Sequence, residues 1–215
     1  MDETEGALCK ICREHPRFYN FSGVAEVGIG MSCPEASRVI LSSPDYADIC
    51  KIGEIEANED KTDFDGREER SKIYEILQDK TLDYARRLEK IYEKYLIDKG
   101  DDEKWLEIID TLEYLDIEHK KLFLNYSTTK KQAKNVEIDS YRERFLAYCV
   151  YRHCTEAEDA DDFCARLSFC LFCERLFASL ITACGDYSFE AAVKLASIIS
   201  EEIEYSDENT WALTY

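Results

Sequence analysis

Two cysteines near the N-terminus, Cys9 and Cys12, are separated by two residues, and a third, Cys33, follows later in the chain. This spacing lets two sulfurs face one ion, and a third from a later loop begins a thiolate cage for zinc or an iron–sulfur cluster. Cys50 and His15 are the candidates for a fourth ligand. A single Cys-x-x-Cys pair also occurs among buried, redox-inert thiols, so the spacing alone leaves metal binding and packing open.

Other chemistries of a Cys-x-x-Cys pair or a glycine pair do not fit the surrounding residues. A c-type haem needs a histidine directly after the second cysteine, where this chain has Arg13. A thioredoxin-like pair begins a helix in a βαβ unit, which this sequence does not predict. Gly28 and Gly30 start like a nucleotide-binding loop, but neither a third glycine nor a βαβ frame follows.

Further cysteines lie in the C-terminal part of the chain, where apolar neighbours predict a packing role. Cys170 and Cys173 are one helical turn apart, but free cysteine among aromatic and aliphatic residues is usually buried. His119 and His153 have no Cys or Asp at ligand spacing, so each is predicted to be structural. No Ser-His-Asp or paired-carboxylate site can be identified from the spacing. The cysteines of this group are Cys149, Cys154, Cys164, Cys170, Cys173 and Cys184.

The net charge limits the classes of partner that this protein is expected to bind. The chain of 215 residues has 27 Lys and Arg against 46 Asp and Glu, a net charge of −19. Such a chain repels phosphate backbones and anionic lipid, so neither nucleic acid nor a membrane is expected as a partner. The N-terminus lacks the basic and apolar stretches of a secretory signal, which predicts a cytoplasmic protein. Thiols stay reduced in that compartment, so the cysteines are not expected to form a disulfide framework.

The elements that would position these residues are mainly helices. Aromatic and β-branched residues around a Ser-Gly turn predict a hairpin over 18–30, and Pro34 fits the first turn of a helix. The charge-rich residues 53–70 predict an exposed linker. Beyond them, apolar residues spaced three and four apart predict core-facing helices. The last three of these helices are predicted at about 137–154, 160–184 and 188–205.

The predicted 160–184 helix is apolar nearly all round. Because Arg166, Glu174 and Arg175 interrupt its apolar window, it is predicted to be a buried core helix rather than a membrane span. The predicted fold class is therefore mainly α, an irregular helical bundle with a short irregular or β-hairpin N-terminal segment that contains cysteines. Its predicted parts are the Cys-containing segment 1–52, the charged linker 53–70 and the helical domain 71–215.

Several blocks of the chain resemble one known family. Residues 9–17, Cys-Lys-Ile-Cys-Arg-Glu-His-Pro-Arg, are similar to the Cys-x-x-Cys-Arg-x-x-Pro-Arg block of the flagellin lysine-N-methylase family, and residues 32–36, Ser-Cys-Pro-Glu-Ala, match another of its blocks. Residues 76–80 look like its mid-chain Leu-Gln-Asp segment. Residues 202–209, Glu-Ile-Glu-Tyr-Ser-Asp-Glu-Asn, resemble its C-terminal Glu-Ile-Glu-His-Ser-Asp-Glu-Asn block. The likeness runs along essentially the whole chain.

The resemblance implies a bacterial, cytoplasmic protein that transfers methyl groups from S-adenosylmethionine to lysine side chains of flagellin. It also implies a zinc or iron–sulfur centre, with Cys9, Cys12 and Cys33 as ligands and the arginines and proline of the first block around them. Family members carry a further Cys-x-x-Cys-x-x-Cys-Cys cluster ahead of these blocks, and this chain begins after it. The resemblance therefore implies an incomplete metal site, and it identifies neither the catalytic residues nor those that bind S-adenosylmethionine.

A second hypothesis, from a different class of function, is a non-catalytic helical module that binds flagellin or another flagellar protein. Such a module would keep the fold and the substrate surface without turnover. The acidic surface suits both hypotheses, because it attracts a lysine-bearing protein.

Overall fold

The computed structural model describes residues 14–21, 24–53, 64–98, 102–125 and 136–215. In these ranges the chain forms a two-stranded hairpin and a set of helices, which confirms the predicted mainly α bundle with a short N-terminal hairpin. The strands are β1, Arg17–Phe21, and β2, Ala25–Ile29. The helices are α1, Pro34–Ser42; α2, Gly66–Gln78; α3, Tyr84–Lys94; α4, Asp102–Thr111; α5, Ile117–Leu124; α6, Val136–His153; α7, Ala160–Cys184; α8, Phe189–Ile199; and α9, Asp207–Thr214.

Short polar side chains define where many of the helices begin. An aspartate or serine before the helix accepts a hydrogen bond from a backbone N–H of the first turn, which satisfies a donor that has no partner inside the helix. At the other end of α7, Gly185 adopts the left-handed conformation with φ 67°, which glycine reaches without steric strain. The capping residues are Asp65, Asp83, Asp116, Asp159, Ser188 and Ser206.

The core is built around α7, which is buried along most of its length. Phe177 of α7 stacks on Phe145 of α6 with ring centroids 4.6 Å apart, and Phe172 stacks on Trp105 of α4 at 4.3 Å. Among the described helices α7 is long and apolar enough to cross a membrane, with 72% of its most apolar window buried inside the bundle. The core helix of a soluble protein has the same length and composition, so these features alone do not indicate a span.

The hairpin packs directly against the helices. Its register pairs Arg17 with Ile29 and Phe21 with Ala25. Nδ2 of Asn20 donates to the backbone oxygen of Tyr151 on α6 at 3.0 Å, and the Tyr151 hydroxyl donates back to the backbone oxygen of β2 residue 27 at 3.1 Å. The N-terminal segment is therefore tied to α6 by hydrogen bonds in both directions.

Helix α2 begins at Gly66, so residues 66–70 are helical and the predicted linker over 53–70 extends too far. The cause is the cap at Asp65 together with a buried ion pair just after the first turn, where Arg70 lies 2.6 Å from Glu26 of β2. Arg70 also donates to Thr155 at 2.7 Å. Residues 54–63 of the predicted linker lie outside the described residues.

The predicted helix over 188–205 is interrupted. Helix α8 ends at Ile199, a π-helical turn occupies Ser200–Glu204, and α9 follows as a separate helix. The break has a local cause, because the Ser206 hydroxyl accepts a hydrogen bond from the backbone N–H of Asn209 at 3.2 Å and so begins a new helix.

Candidate functional site

The C-terminal block, residues 202–209, lies in and directly after the π-helical turn Ser200–Glu204. Such turns are rare and are found frequently at functional sites. Glu202, Glu204 and Asn209 of this block are only 1%, 6% and 2% exposed. A buried carboxylate is stable only with charged or hydrogen-bonding partners, so the contacts of these residues determine what the block does.

Glu204 is bound by side chains of α6. The Tyr148 hydroxyl donates to its Oε2 at 2.8 Å, His153 Nε2 lies 2.8 Å from its Oε1, and Arg152 Nη1 lies 3.9 Å from Oε2. Burial by itself raises the pKa of Glu204, but the charge of Arg152 and the bond from His153 outweigh burial and hold the pKa at about 2. Burial lowers the pKa of His153, against the bond to Glu204 that raises it, so the imidazole is neutral at neutral pH. Its Nε2 donates, since an ionised carboxylate only accepts.

Arg152 also connects this block to the N-terminal segment. Its guanidinium lies between two rings, 5.0 Å from the centroid of Phe18 and 4.7 Å from that of Tyr205. The Tyr205 hydroxyl donates to the backbone oxygen of Pro16 at 3.3 Å, and the Gly30 backbone N–H donates to the same oxygen at 2.6 Å. A Cβ on Gly30 would lie 2.7 Å from Arg152 Nη1, closer than the two atoms can approach. A larger residue at this junction would require the ends of the Tyr205 and Arg152 side chains to move.

The first and last residues of the block, Glu202 and Asn209, hold the loop between α4 and α5. Glu202 accepts from two backbone N–H groups of this loop at 2.8 and 3.1 Å, and its Oε1 lies 2.6 Å from Nδ1 of His119. Asn209 Nδ2 donates to the backbone oxygen of Glu113 at 2.7 Å. Both oxygens of Glu202 are therefore engaged in holding the backbone and His119.

A surface pocket of about 380 Å³, here called the acidic pocket, opens beside this loop. Two tyrosine rings, Tyr114 and Tyr205, lie among its carboxylates. Carboxylates and aromatic faces both attract cations, so this lining suits an ammonium group. The acidic residues of the lining are Glu113, Glu201, Glu202, Asp207 and Glu208.

The predicted metal ligands are divided between described and undescribed residues. Cys9 and Cys12 lie outside the described residues. Cys33 is half-buried at the N-cap of α1. Two residues before it, the backbone N–H of Met31 donates to the Tyr148 hydroxyl at 3.1 Å. The hydrogen-bond network of Glu204 therefore reaches to within two residues of Cys33.

The two candidates for a fourth ligand are both exposed. Cys50 lies in an irregular segment after α1, and the ring of His15 lies 5.8 Å from that of Tyr205. In the part of the chain that the structure describes, no group of three or more His, Cys, Asp or Glu side chains is placed to hold a metal ion. The described residues alone therefore do not assemble the predicted site.

The C-terminal cysteines are mostly packing residues, as predicted. Burial raises the pKa of Cys149, Cys170 and Cys173 well above the usual range, which keeps them as thiols. Cys154 is also buried, with its sulfur 3.8 Å from that of Cys170. Cys184 is an exception to the prediction, because it is the last residue of α7 and is exposed.

Sequence reasoning missed the acidic partners of both histidines. Glu202 lies 83 positions from His119, and Glu204 lies 51 positions from His153, so no local spacing links them. The signal that could have found them is the position of Glu202 and Glu204 on either side of the apolar Ile203, since carboxylates close to a core-facing position need partners when they are buried.

Comparison of the chain with protein-family models, curated proteins and solved structures finds no match in any of the three. The class of protein that the fold defines is an irregular, mainly α bundle with a docked hairpin.

Proposed function

We propose that the chain is a protein-lysine N-methyltransferase related to the flagellin lysine-N-methylases, acting on lysine side chains of flagellin. The observation that carries the proposal is the position of the acidic pocket. It is formed by the loop between α4 and α5 together with the C-terminal block, which is one of the segments that resemble this family, and its carboxylates and tyrosines complement a lysine ammonium.

The pocket would contribute binding and proton transfer. S-adenosylmethionine, when bound, supplies an activated methyl group on a sulfonium. A lysine amine attacks only as the neutral base, so its ammonium must first lose a proton, and an exposed carboxylate such as Glu201 or Glu208 can accept it. Glu202 is unsuited to that role, because its two oxygens already accept hydrogen bonds.

The metal centre belongs to the same proposal and is assigned to Cys9, Cys12 and Cys33. Of these, Cys33 is described, and its place at the start of α1 suits a thiolate, because a helix N-terminus favours negative charge. A zinc or iron–sulfur group would hold the N-terminal segment against the bundle through these sulfurs.

Methyl transfer is tested with the full chain, flagellin and isotope-labelled S-adenosylmethionine, followed by mass spectrometry of the flagellin lysines. We expect methyllysine to form, and the double variant Glu201→Gln/Glu208→Gln to slow the reaction about tenfold or more, because it removes charge that attracts the substrate. The matched control is Glu75→Gln/Glu107→Gln, which removes two exposed carboxylates outside the pocket and should leave the rate unchanged. Failure of the unmodified chain to label any lysine contradicts the catalytic proposal.

A non-catalytic module that binds flagellin is the second candidate. It is favoured by the engagement of Glu202, which makes part of the acidic pocket a structural feature. In that case flagellin binds the chain, the Glu201→Gln/Glu208→Gln variant binds it more weakly, and no methyl group is transferred.

The metal assignment is tested separately by measuring iron, zinc and acid-labile sulfide per chain after anaerobic purification. We expect near-stoichiometric metal that is lost in Cys12→Ser and retained in Cys184→Ser, a control thiol exposed at the end of α7. Equal metal in both variants would exclude Cys12 as a ligand.

A further inference from the structure

The hairpin has one face against the helices and one face in solvent. Side chains alternate between the two faces of a strand. Phe18 and Asn20 of β1 point toward α6, where the ring of Phe18 packs on that of Tyr151 with centroids 5.8 Å apart. Tyr19 and Phe21 lie on the opposite face, here called the outer face, and are 51% and 67% exposed. No described element therefore covers the outer face.

The outer face is an apolar surface that both strands share. The rings of Tyr19 and Phe21 stack with centroids 6.4 Å apart and an interplanar angle of 16°. Across the hairpin, Tyr19 pairs with Val27 and Phe21 with Ala25, and Val24 before β2 is 52% exposed. Contiguous exposed apolar patches are uncommon on soluble proteins and frequently mark interaction sites. The outer face is therefore a candidate docking surface.

The Phe21 end of the outer face borders an acidic turn, residues 156–161, between α6 and the start of α7. Oε1 of Glu156 accepts from the backbone N–H of Phe21 at 2.5 Å. Glu156, Glu158 and Asp161 are exposed, and the described residues place no basic side chain against them. The cation of the outer face, Arg17, lies at the other end of β1. The exposed rings are thus continuous with negative charge.

This charge discriminates between the possible occupants of the outer face. A second copy of the chain would bring its own net charge of −19 against the acidic turn, so self-association is opposed. Nucleic acid and anionic lipid are repelled for the same reason. A protein segment with apolar residues on one side and lysines or arginines beside them complements both the rings and the carboxylates.

We propose that the outer face and the acidic turn together bind a basic amphipathic segment of another protein. Its apolar side chains would cover Tyr19 and Phe21, and its cations would lie against Glu156 and Glu158. The surface uses none of the residues that line the acidic pocket, and binding there requires no methyl transfer, so the proposal is independent of the proposed function.

The test is the binding of a short fluorescein-labelled helical peptide, with leucines on one face and lysines on the other, to the full chain, followed by fluorescence anisotropy. We expect saturable binding, and about tenfold or more weaker binding of a matched peptide with glutamate for every lysine. Tyr19→Ser/Phe21→Ser should weaken binding of the lysine peptide about tenfold or more, because it removes the aromatic anchors. The control Val39→Ser/Ile52→Ser, which removes two exposed apolar side chains outside the hairpin, should bind like the unmodified chain.

A second variant, Glu156→Gln/Glu158→Gln, tests the charged part of the surface and leaves the rings in place. Glutamine at position 156 keeps an oxygen that can accept from the Phe21 N–H, so the hairpin stays attached to the acidic turn. We expect the lysine peptide to bind this variant about threefold or more weakly at low salt, and the difference to shrink as salt is added.

Absence of saturable binding, or equal binding of the two peptides, would overturn the proposal. Unchanged binding in the Tyr19→Ser/Phe21→Ser variant, with its folding checked by circular dichroism, would do the same. A dimer of the unmodified chain in sedimentation that this variant dissociates would assign the outer face to a second copy, and would also overturn the proposal.

Discussion

Glu204 and Glu174 are both buried carboxylates beside an arginine of α6, yet their surroundings differ. The side chains are 2% and 1% exposed. Both oxygens of Glu204 are bound, one by Tyr148 and the other by His153. Glu174 has both of its partners on a single oxygen. Burial is thus nearly the same at the two sites, and the completeness of the hydrogen bonding is what separates them.

The difference predicts unequal contributions of the two carboxylates to stability. A fully satisfied network fixes the elements that contribute to it, and the Glu204 network joins α6, the π-helical turn and, through Arg152, the hairpin. A partly satisfied one holds its elements together through fewer bonds, and among the described residues Glu174 is bound only by Arg142 and Tyr84. We therefore expect Glu204 to contribute more to stability than Glu174, and the following predictions test that difference.

The largest effect is expected for Glu204→Gln. The substitution leaves Arg152 without its buried countercharge, and breaking a buried pair in this way typically lowers the free energy of unfolding by about 3–5 kcal/mol. Urea denaturation followed by circular dichroism measures the change. A loss below about 1 kcal/mol would show that the network is not a structural junction.

Acid should act on the same carboxylate. The pKa of Glu204 is about 2 in the folded chain against an ordinary value of 4.5. Because the pKa of Glu204 is lower in the folded chain than in the unfolded one, its ionisation stabilises the fold fully at pH values above 4.5. This contribution, about 3 kcal/mol in total, is lost as the pH falls from 4.5 toward 2. His153 adds a loss that begins below its ordinary pKa of 6.5, because its lowered pKa lets the unfolded chain take up the proton first. In Glu204→Gln the loss of unfolding free energy between pH 4.5 and pH 2 should be smaller by this contribution. A pH profile of stability identical to that of the unmodified chain would contradict the lowered pKa of Glu204.

Much of the fold could be predicted from local patterns, whereas the network could not. The hairpin and α7 follow from alternation, apolar runs and turn residues, which act over a few positions. The partners of Glu202 and Glu204 lie on other helices, so their contacts depend on packing. Even the start of α2 depends on a distant residue, because Arg70 is buried against Glu26.

A smaller effect is expected for Glu174→Gln. The amide oxygen still accepts from Arg142 and Tyr84, and Arg142 keeps a second countercharge, Asp139, at 3.2 Å, so we expect a loss of about 1–3 kcal/mol in the free energy of unfolding. The measurement is the same urea denaturation, run beside Glu204→Gln. A loss as large as that of Glu204→Gln would remove the distinction between the two sites.

The smallest loss of stability is expected for Glu190→Gln. This variant separates the effect of complete hydrogen bonding from the effect of burial. Glu190 forms a two-bond pair with Arg38, at 2.5 and 2.8 Å, so its bonding is as complete as that of Glu204. Both side chains are exposed, and water replaces an exposed ion pair at little cost, so no measurable change in the urea midpoint is expected. If complete bonding alone gave Glu204 its importance, Glu190→Gln would be destabilising as well. A stable Glu190→Gln beside an unstable Glu204→Gln would show that complete bonding stabilises this fold where the charge is also buried.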